Sequence, residues 1–158
     1  MPLKFSSPLP SIEGVSPWMG DAPSDADLIG RPVFVQFWAV WCGYCLMNAP
    51  LIAGWNERYS PSGLIMLTVH AGRLPASHEG KVAEAIEEHD ILTPCALDEN
   101  DVLGRRFQTE GITPAYFFFD SSHRLRSRAS GKQGLHLVEA AIRRSLSLSE
   151  LVVGQSAQ

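Results

Sequence analysis

The sequence predicts an α/β fold in which a central mixed β-sheet is flanked by helices, and two observations support this. Apolar runs of strand length alternate with stretches of helical spacing through the middle of the chain. Such alternation is typical of a parallel sheet covered on both faces. Further on, a strong strand is followed across a short turn by a second one, which adds an antiparallel pair. The length of 158 residues suits one domain.

Three segments are expected along the chain. The first 32 residues contain six prolines with glycines and serines among them, a composition that favours extended segments, turns or a hairpin over helix. We therefore expect residues 1–27 to form an extended lead-in that packs on the domain. Residues 28–148 are expected to form the domain itself, and residues 149–158 a C-terminal tail.

The first half of the domain is predicted to contain two strands and two helices. Residues 33–38 (VFVQFW) have the β-branched and aromatic composition of a buried strand and are followed directly by two cysteines. Apolar residues spaced by three or four predict a helix over 46–59, with Pro50 as a kink. Residues 64–70 (LIMLTVH) predict a second strand, and residues 79–89 a helix with an apolar stripe.

The second half continues the pattern with shorter elements. A short strand is predicted at 94–97 and a short helix at 99–107. Residues 115–120 (AYFFFD) form a strong strand, which is expected to pair with 125–130 across the turn between them. An amphipathic helix is predicted over 135–146.

Composition excludes several classes of protein. The net charge of −4 and the pI near 5.7 argue against a phosphate-binding surface, so nucleic acid is not an expected partner. No apolar run approaches the roughly 20 residues that a membrane span needs. The first ten residues lack the apolar core of a secretory signal, so the chain as given is expected in the cytoplasm, or in the periplasm if a leader or anchor has been removed.

The cysteines carry the expected chemistry. Cys42 follows a buried strand and stands at the first turn of a helix, where free backbone N–H groups and the helix dipole favour a thiolate. Cys45 lies one turn further on the same face, within reach of a disulfide. Between them, Gly43 adds backbone freedom and Tyr44 an aromatic surface at the rim. This pattern favours a catalytic pair over a structural disulfide.

Other uses of the cysteine pair are less consistent with the sequence than catalysis is. A zinc site needs four ligands, and Cys95 is the only further cysteine. Two buried cysteines without chemistry are disfavoured by their position between strand and helix. Paired soft thiolates suit copper(I), so a binding module that holds this metal on Cys42 and Cys45 is the alternative from another class of protein. A peroxidase would normally lack so close a second thiol.

The residues around the pair resemble the active site of thioredoxins. The run Phe37-Trp38-Ala39-Val40-Trp41-Cys42-Gly43-Tyr44-Cys45 with Ala49-Pro50 is similar to their active-site strand and kinked helix, and Gly111-Ile112-Thr113-Pro114 is similar to their cis-proline segment. The inserted helix and strand over 79–97 and the sequence Asp27-Leu28-Ile29-Gly30-Arg31-Pro32 resemble the TlpA/ResA-like branch. The resemblance implies a thioredoxin-like fold with an N-terminal extension and an inserted helix-strand element.

The resemblance also implies an activity and a binding site. It implies a thiol-disulfide oxidoreductase that exchanges disulfides with protein substrates through Cys42 and Cys45 and needs no cofactor or metal. Its substrate-binding residues would be Trp41, Gly43, Tyr44, Thr113 and Pro114, with a cis bond before Pro114 and the Thr113 backbone free to pair with a substrate strand. The expected partners are protein thiols and disulfides and a second redox protein, and the chain is expected to be a monomer.

Some residues depart from the family or stand outside the motif. Thioredoxins commonly have a buried aspartate at the position of Gln36, which cannot titrate. Glu57 and Asp98 are the candidate replacements, although solvated surface carboxylates are the more ordinary expectation for both. Cys95 is expected to be a buried bystander. The five histidines are expected at the surface or at helix ends, and the basic run over 123–128 as a charged strand edge.

Overall fold

The computed structural model describes residues 3–72 and 79–156, with side chains for 3–72 and 80–147. The elements, in chain order, are β1 (Trp18–Met19), α1 (Asp25–Leu28), β2 (Val33–Trp38), α2 (Gly43–Tyr59), β3 (Ile65–Ala71), α3 (Glu79–Glu88), β4 (Cys95–Asp98), α4 (Val102–Arg106), β5 (Ala115–Phe119), β6 (Leu125–Ser130) and α5 (Leu135–Ser156).

The sheet is mixed, as predicted, with strand order β1-β4-β3-β2-β5-β6. β2 and β3 are parallel, and so are β3 and β4, whereas β5 runs antiparallel to β2 and β6 antiparallel to β5. Because β2 and β3 each have a neighbour on both sides, they lie in the middle of the sheet. Cys42 and Cys45 therefore follow a central strand, at its carboxyl end.

Alternating side chains of the sheet build two faces of core. One face of β2 contributes Val33, Val35 and Phe37 to a cluster that also contains the N-terminal residues Leu3 and Ile12. The opposite face packs under the helices, with Phe34 against Trp55 of α2 and Trp38 beside the two cysteines. This second face supports the N-terminal turn of α2 from below.

Several element boundaries differ from the sequence-based prediction. α2 begins at Gly43, three residues earlier than predicted, because Cys42 caps it. α5 continues to Ser156, where a tail from residue 149 was predicted. The lead-in contains α1, which begins with a reciprocal capping box between Ser24 and Asp27. Its β1 pairs with β4 and does not form a hairpin within the lead-in.

Candidate active site

The site lies where β2 passes into α2. β2 is buried along its whole length, and Ala39, Val40 and Trp41 then connect it to Cys42. The N–H of Cys42 donates to the carbonyl of Ala39 at 3.0 Å, which closes a tight turn before the helix. Cys42 is the N-cap of α2, so the turn delivers its side chain to the helix N-terminus.

Cys42 and Cys45 form a disulfide, with their Cα atoms 5.3 Å apart. The backbone N–H of Cys45 donates to Sγ of Cys42 at 3.2 Å, in the way that a side-chain oxygen accepts at an ordinary N-cap. Cys42 retains 9% exposure and Cys45 only 3%. Both cysteines are thus buried, Cys42 less completely than Cys45, and Sγ of Cys42 has a backbone donor that would stabilise its thiolate.

Exposed aromatic side chains neighbour the two cysteines in the sequence. Trp41 is 61% exposed and Tyr44 45% exposed, so the residues that flank Cys42 and Cys45 present large apolar surfaces to solvent. A side chain at Gly43 would meet no atom within 4 Å, so this glycine faces open space. The site is thus open on the side where a large substrate would approach.

The Thr113-Pro114 bond is cis, as the sequence analysis predicted. The Ser16-Pro17 and Thr93-Pro94 bonds are also cis, which was not predicted. Among the residues that the structure describes, none makes a backbone hydrogen bond to Thr113, although Ile112 and Pro114 on either side are both engaged. Ile112 adds an exposed apolar side chain to this segment.

Among the described residues, the buried polar side chains beneath α2 include no carboxylate in place of the aspartate of thioredoxins. Gln36 is buried and donates from Nε2 to Oγ1 of Thr68 at 3.1 Å. Asn48 of α2 donates to the hydroxyl of Tyr116 at 3.0 Å, and burial raises the pKa of that phenol. Neither pair supplies a group that titrates near neutral pH.

The two carboxylates proposed as replacements have different environments. Glu57 is exposed on α2, in agreement with the ordinary expectation for a carboxylate. The surface expectation is wrong for Asp98, which is 2% exposed and accepts from the backbone N–H groups of Val102, Leu103 and Gly104 at 2.8 to 3.1 Å. Its carboxylate caps α4, so its position is explained by local structure.

Cys95 is fully buried in β4, as expected, and its Sγ accepts from the indole N–H of Trp38 at 3.5 Å. Burial raises the pKa of the Cys95 thiol to about 11. The thiol is therefore neutral and unreactive at physiological pH.

The surface expectation is also wrong for His70, which has no exposed area. Its strand has neighbours on both sides, and the period of two along β3 places Thr68 and His70 on the face under α2. Burial lowers the pKa of the His70 imidazole to about 4. The sequence offered one signal for this burial, because the histidine stands at the end of the apolar run predicted as a strand over 64–70. His78 lies outside the described residues.

Within the described ranges, three or more histidine, cysteine, aspartate or glutamate side chains nowhere group as metal ligands. In the same part of the chain, no helix has the length and apolar character needed to cross a membrane.

The basic strand edge over 123–128 forms some of its ion pairs and hydrogen bonds within the chain. Arg126 bonds to Asp120 at 2.5 Å, and Arg128 donates to the carbonyl of Leu3.

A mixed sheet with a disulfide at the N-terminus of its central helix and a cis-proline loop defines a thioredoxin-fold thiol-disulfide oxidoreductase, and relatives support that class. The chain is 29% identical over 153 residues to the thiol-disulfide oxidoreductase YkuV of Bacillus subtilis, covering 94% of this chain and 100% of that protein. It is 23% identical over 118 residues to ResA of Bacillus cereus, covering 75% of this chain and 65% of ResA.

A solved structure, that of a thioredoxin-like protein in the oxidized form, matches with a TM-score of 0.76 and 28% identity, over 92% of this chain and 98% of that chain. Residues 12–142 match the Redoxin family, so the chain belongs to that family. The predicted resemblance to the TlpA/ResA-like branch is confirmed by these relatives. The pair Cys42 and Cys45 is its redox-active centre, and the copper-binding alternative is not supported over this activity.

Proposed function

We propose that the chain exchanges disulfides with protein substrates, with Cys42 as the attacking thiol and Cys45 as the resolving thiol. The observation that carries this assignment is the N-cap geometry, in which Sγ of Cys42 accepts the Cys45 N–H and Cys42 is the less buried residue of the two. The thiolate is the nucleophile in thiol-disulfide exchange, so the sulfur with the better-stabilised anion and the better access attacks first.

The reaction proceeds through a mixed disulfide. In the reducing direction, the Cys42 thiolate attacks one sulfur of a substrate disulfide, the substrate S–S bond breaks and one substrate thiolate leaves. Cys45 then loses its proton to that thiolate or to water, attacks Sγ of Cys42 and releases the second substrate thiolate. Two electrons pass from the Cys42 and Cys45 dithiol to the substrate, which leaves the disulfide that the structure contains. Oxidation of substrate dithiols is the reverse sequence.

Trp41, Gly43, Tyr44, Thr113 and Pro114 are proposed to bind the substrate. Trp41 and Tyr44 supply exposed apolar surface beside the attacking sulfur. A free main-chain N–H and C=O at Thr113 would allow an extended substrate segment to pair as an added strand. Main-chain pairing does not depend on the side chains of the substrate, so this arrangement suits a range of protein partners.

Single-cysteine variants test the assignment. Cys45→Ala retains the attacking thiol and removes the group that breaks the mixed disulfide, so it should accumulate covalent adducts with a disulfide-containing protein such as insulin. Cys42→Ala is the matched control and should accumulate few. Adducts are separated on non-reducing gels and reversed by dithiothreitol. Preferential trapping by Cys42→Ala would refute the order of the two thiols.

The domain boundaries, the monomeric state and the compartment remain predictions. Light scattering after gel filtration measures the oligomeric state directly. The compartment and the direction of exchange are linked, because reduction potentials in this fold run from about −270 mV for reductants to about −120 mV for oxidants. A Cys42/Cys45 potential near the reducing end would support cytoplasmic work with a reducing partner protein, and one near the oxidising end would support periplasmic work.

A further inference from the structure

The loop that carries Cys42 is held from the neighbouring strand. The N–H of Val40 donates to Nε2 of His70 at 3.1 Å. The ring of His70 also contacts two tryptophans edge to face, with centroid distances of 5.0 Å to Trp38 and 5.4 Å to Trp41. A single buried side chain of β3 therefore contacts the end of β2 and both residues that precede Cys42.

The hydrogen bond determines the state of the imidazole. A backbone N–H can only donate, so Nε2 of His70 must offer a lone pair, and the proton of the neutral ring must be on Nδ1. That Nδ1 is buried and has no hydrogen-bond partner in any other described residue. A buried donor without a partner carries a desolvation cost that an apolar side chain would avoid. Packing alone therefore does not explain a histidine here.

The end of β3 also seats the Trp41 ring. Gly72 has φ +90°, and a Cβ built on it would lie 3.1 and 3.2 Å from two atoms of the Trp41 indole. The indole thus rests on the main chain of Gly72 as well as on the His70 ring. The main chain of Val40 and the side chain of Trp41 are both held by the strip from His70 to Gly72, directly before the turn that ends at Cys42.

We propose that His70 is a positioning residue for disulfide exchange: by accepting the Val40 N–H and supporting Trp41, it sets the entry of Cys42 into α2. This inference rests on the proposed function of Cys42 as the attacking thiol. A loop fixed at Val40 keeps the Cys42 sulfur within reach of the Cys45 N–H, which lies 3.2 Å away. If the loop is released, the thiolate is expected to lose part of that stabilisation and to become less reactive.

Three substitutions of His70 separate the hydrogen bond from packing. The amide oxygen of His70→Gln can replace Nε2 as the acceptor, whereas that of His70→Asn reaches only the position of Nδ1. His70→Leu keeps bulk and removes the acceptor. Each is made in the Cys45→Ala background, and the alkylation rate of Cys42 with iodoacetamide is measured across pH. Hydrogen exchange of the Val40 amide is followed by NMR.

His70→Leu and His70→Asn place no acceptor at the position of Nε2. In both variants Cys42 should alkylate about fivefold more slowly near neutral pH, the factor that corresponds to one lost neutral hydrogen bond, and the Val40 amide should exchange faster. His70→Gln should restore both quantities. Unchanged alkylation in His70→Leu despite faster Val40 exchange, or equal losses in the Gln and Asn variants, would overturn the inference. If His70→Leu does not fold, the Gln and Asn pair decides. Failure of the proposed function is distinguishable, because the parent with His70 would then trap no substrate through Cys42.

Discussion

Protonation of His70 is expected to destabilise the folded protein in mild acid. The imidazole is neutral in the folded state because burial lowers its pKa from 6.5 to about 4, whereas in the unfolded chain it titrates near 6.5. Between these values the unfolded state binds more protons, so the free energy of unfolding falls as the pH falls. This contribution is present in full above about pH 6.5 and levels off below about pH 4, where both states are protonated.

The two pKa values set the size of the effect. Linkage between 6.5 and 4 gives a loss of about 2 kcal/mol from His70 alone when the pH is lowered from about 7 to about 5. Cys95, whose thiol lies beside the main chain of His70, stays neutral because its pKa is about 11. With the protein oxidised, Cys42 and Cys45 do not titrate, since they form a disulfide.

Urea unfolding of oxidised wild type and His70→Gln at the two pH values measures this contribution. The other titrating groups are common to both proteins, so the difference between their pH dependences isolates His70. Wild type should lose about 2 kcal/mol more than the variant. Equal losses in the two proteins would show that the imidazole is not held neutral, and a larger loss in the variant would reverse the sign of the argument.

Three further substitutions test the surroundings of the site. Cys95→Ala should keep exchange activity but lower the free energy of unfolding by about 1 to 3 kcal/mol, because it leaves the buried indole N–H of Trp38 without an acceptor. Cys95→Ser is the control. Loss of activity in a folded Cys95→Ala variant would contradict the bystander assignment. Gly72→Ala should lower the free energy of unfolding by about 1 to 2 kcal/mol, because of the positive φ of Gly72 and its contact with Trp41, whereas Gly43→Ala should change it by under about 1 kcal/mol. Equal losses of stability in thermal unfolding would disprove the packing of the Trp41 indole on Gly72. Asp98→Ala should cost about 2 to 3 kcal/mol in urea with exchange retained, and a neutral effect would show that capping of α4 contributes little.

Most of the architecture was accessible from local pattern. β2 and β6 have the predicted boundaries, and β3, β4 and β5 are displaced by one residue at most at either end, because β-branched and aromatic runs bounded by turn residues specify strands locally. The short strand β1 in the lead-in was not predicted. Helix ends were less well predicted. α2 starts at Gly43 with Cys42 as its N-cap, so the helix turn expected at Cys42 is confirmed and the start at 46 that apolar spacing predicted is wrong.

The errors concern polar residues inside apolar strands. His70 and Asp98 lie near the ends of their strands and are covered only after β1, β3 and β4 assemble. A histidine or an aspartate by itself suggests a solvent-exposed side chain, so the sequence-based expectation was wrong for both. Burial of a single polar residue depends on which strands flank its own and on what helix covers that face. Pairing between distant segments determines both, and local composition does not record it.

The sequence by itself determined the class of fold and the redox pair, because each is encoded in consecutive residues whose conformational preferences are local. The cis bond before Pro114 was predicted through the resemblance to thioredoxins. The tertiary structure alone decided that Cys42 is less deeply buried than Cys45, that Thr113 is left without a backbone partner among the described residues, and that His70 holds the Val40 N–H. These three features depend on contacts between β2, β3 and β5, which are brought together by the crossover of the chain. Their physical basis is long-range packing, so they exist only in the folded molecule.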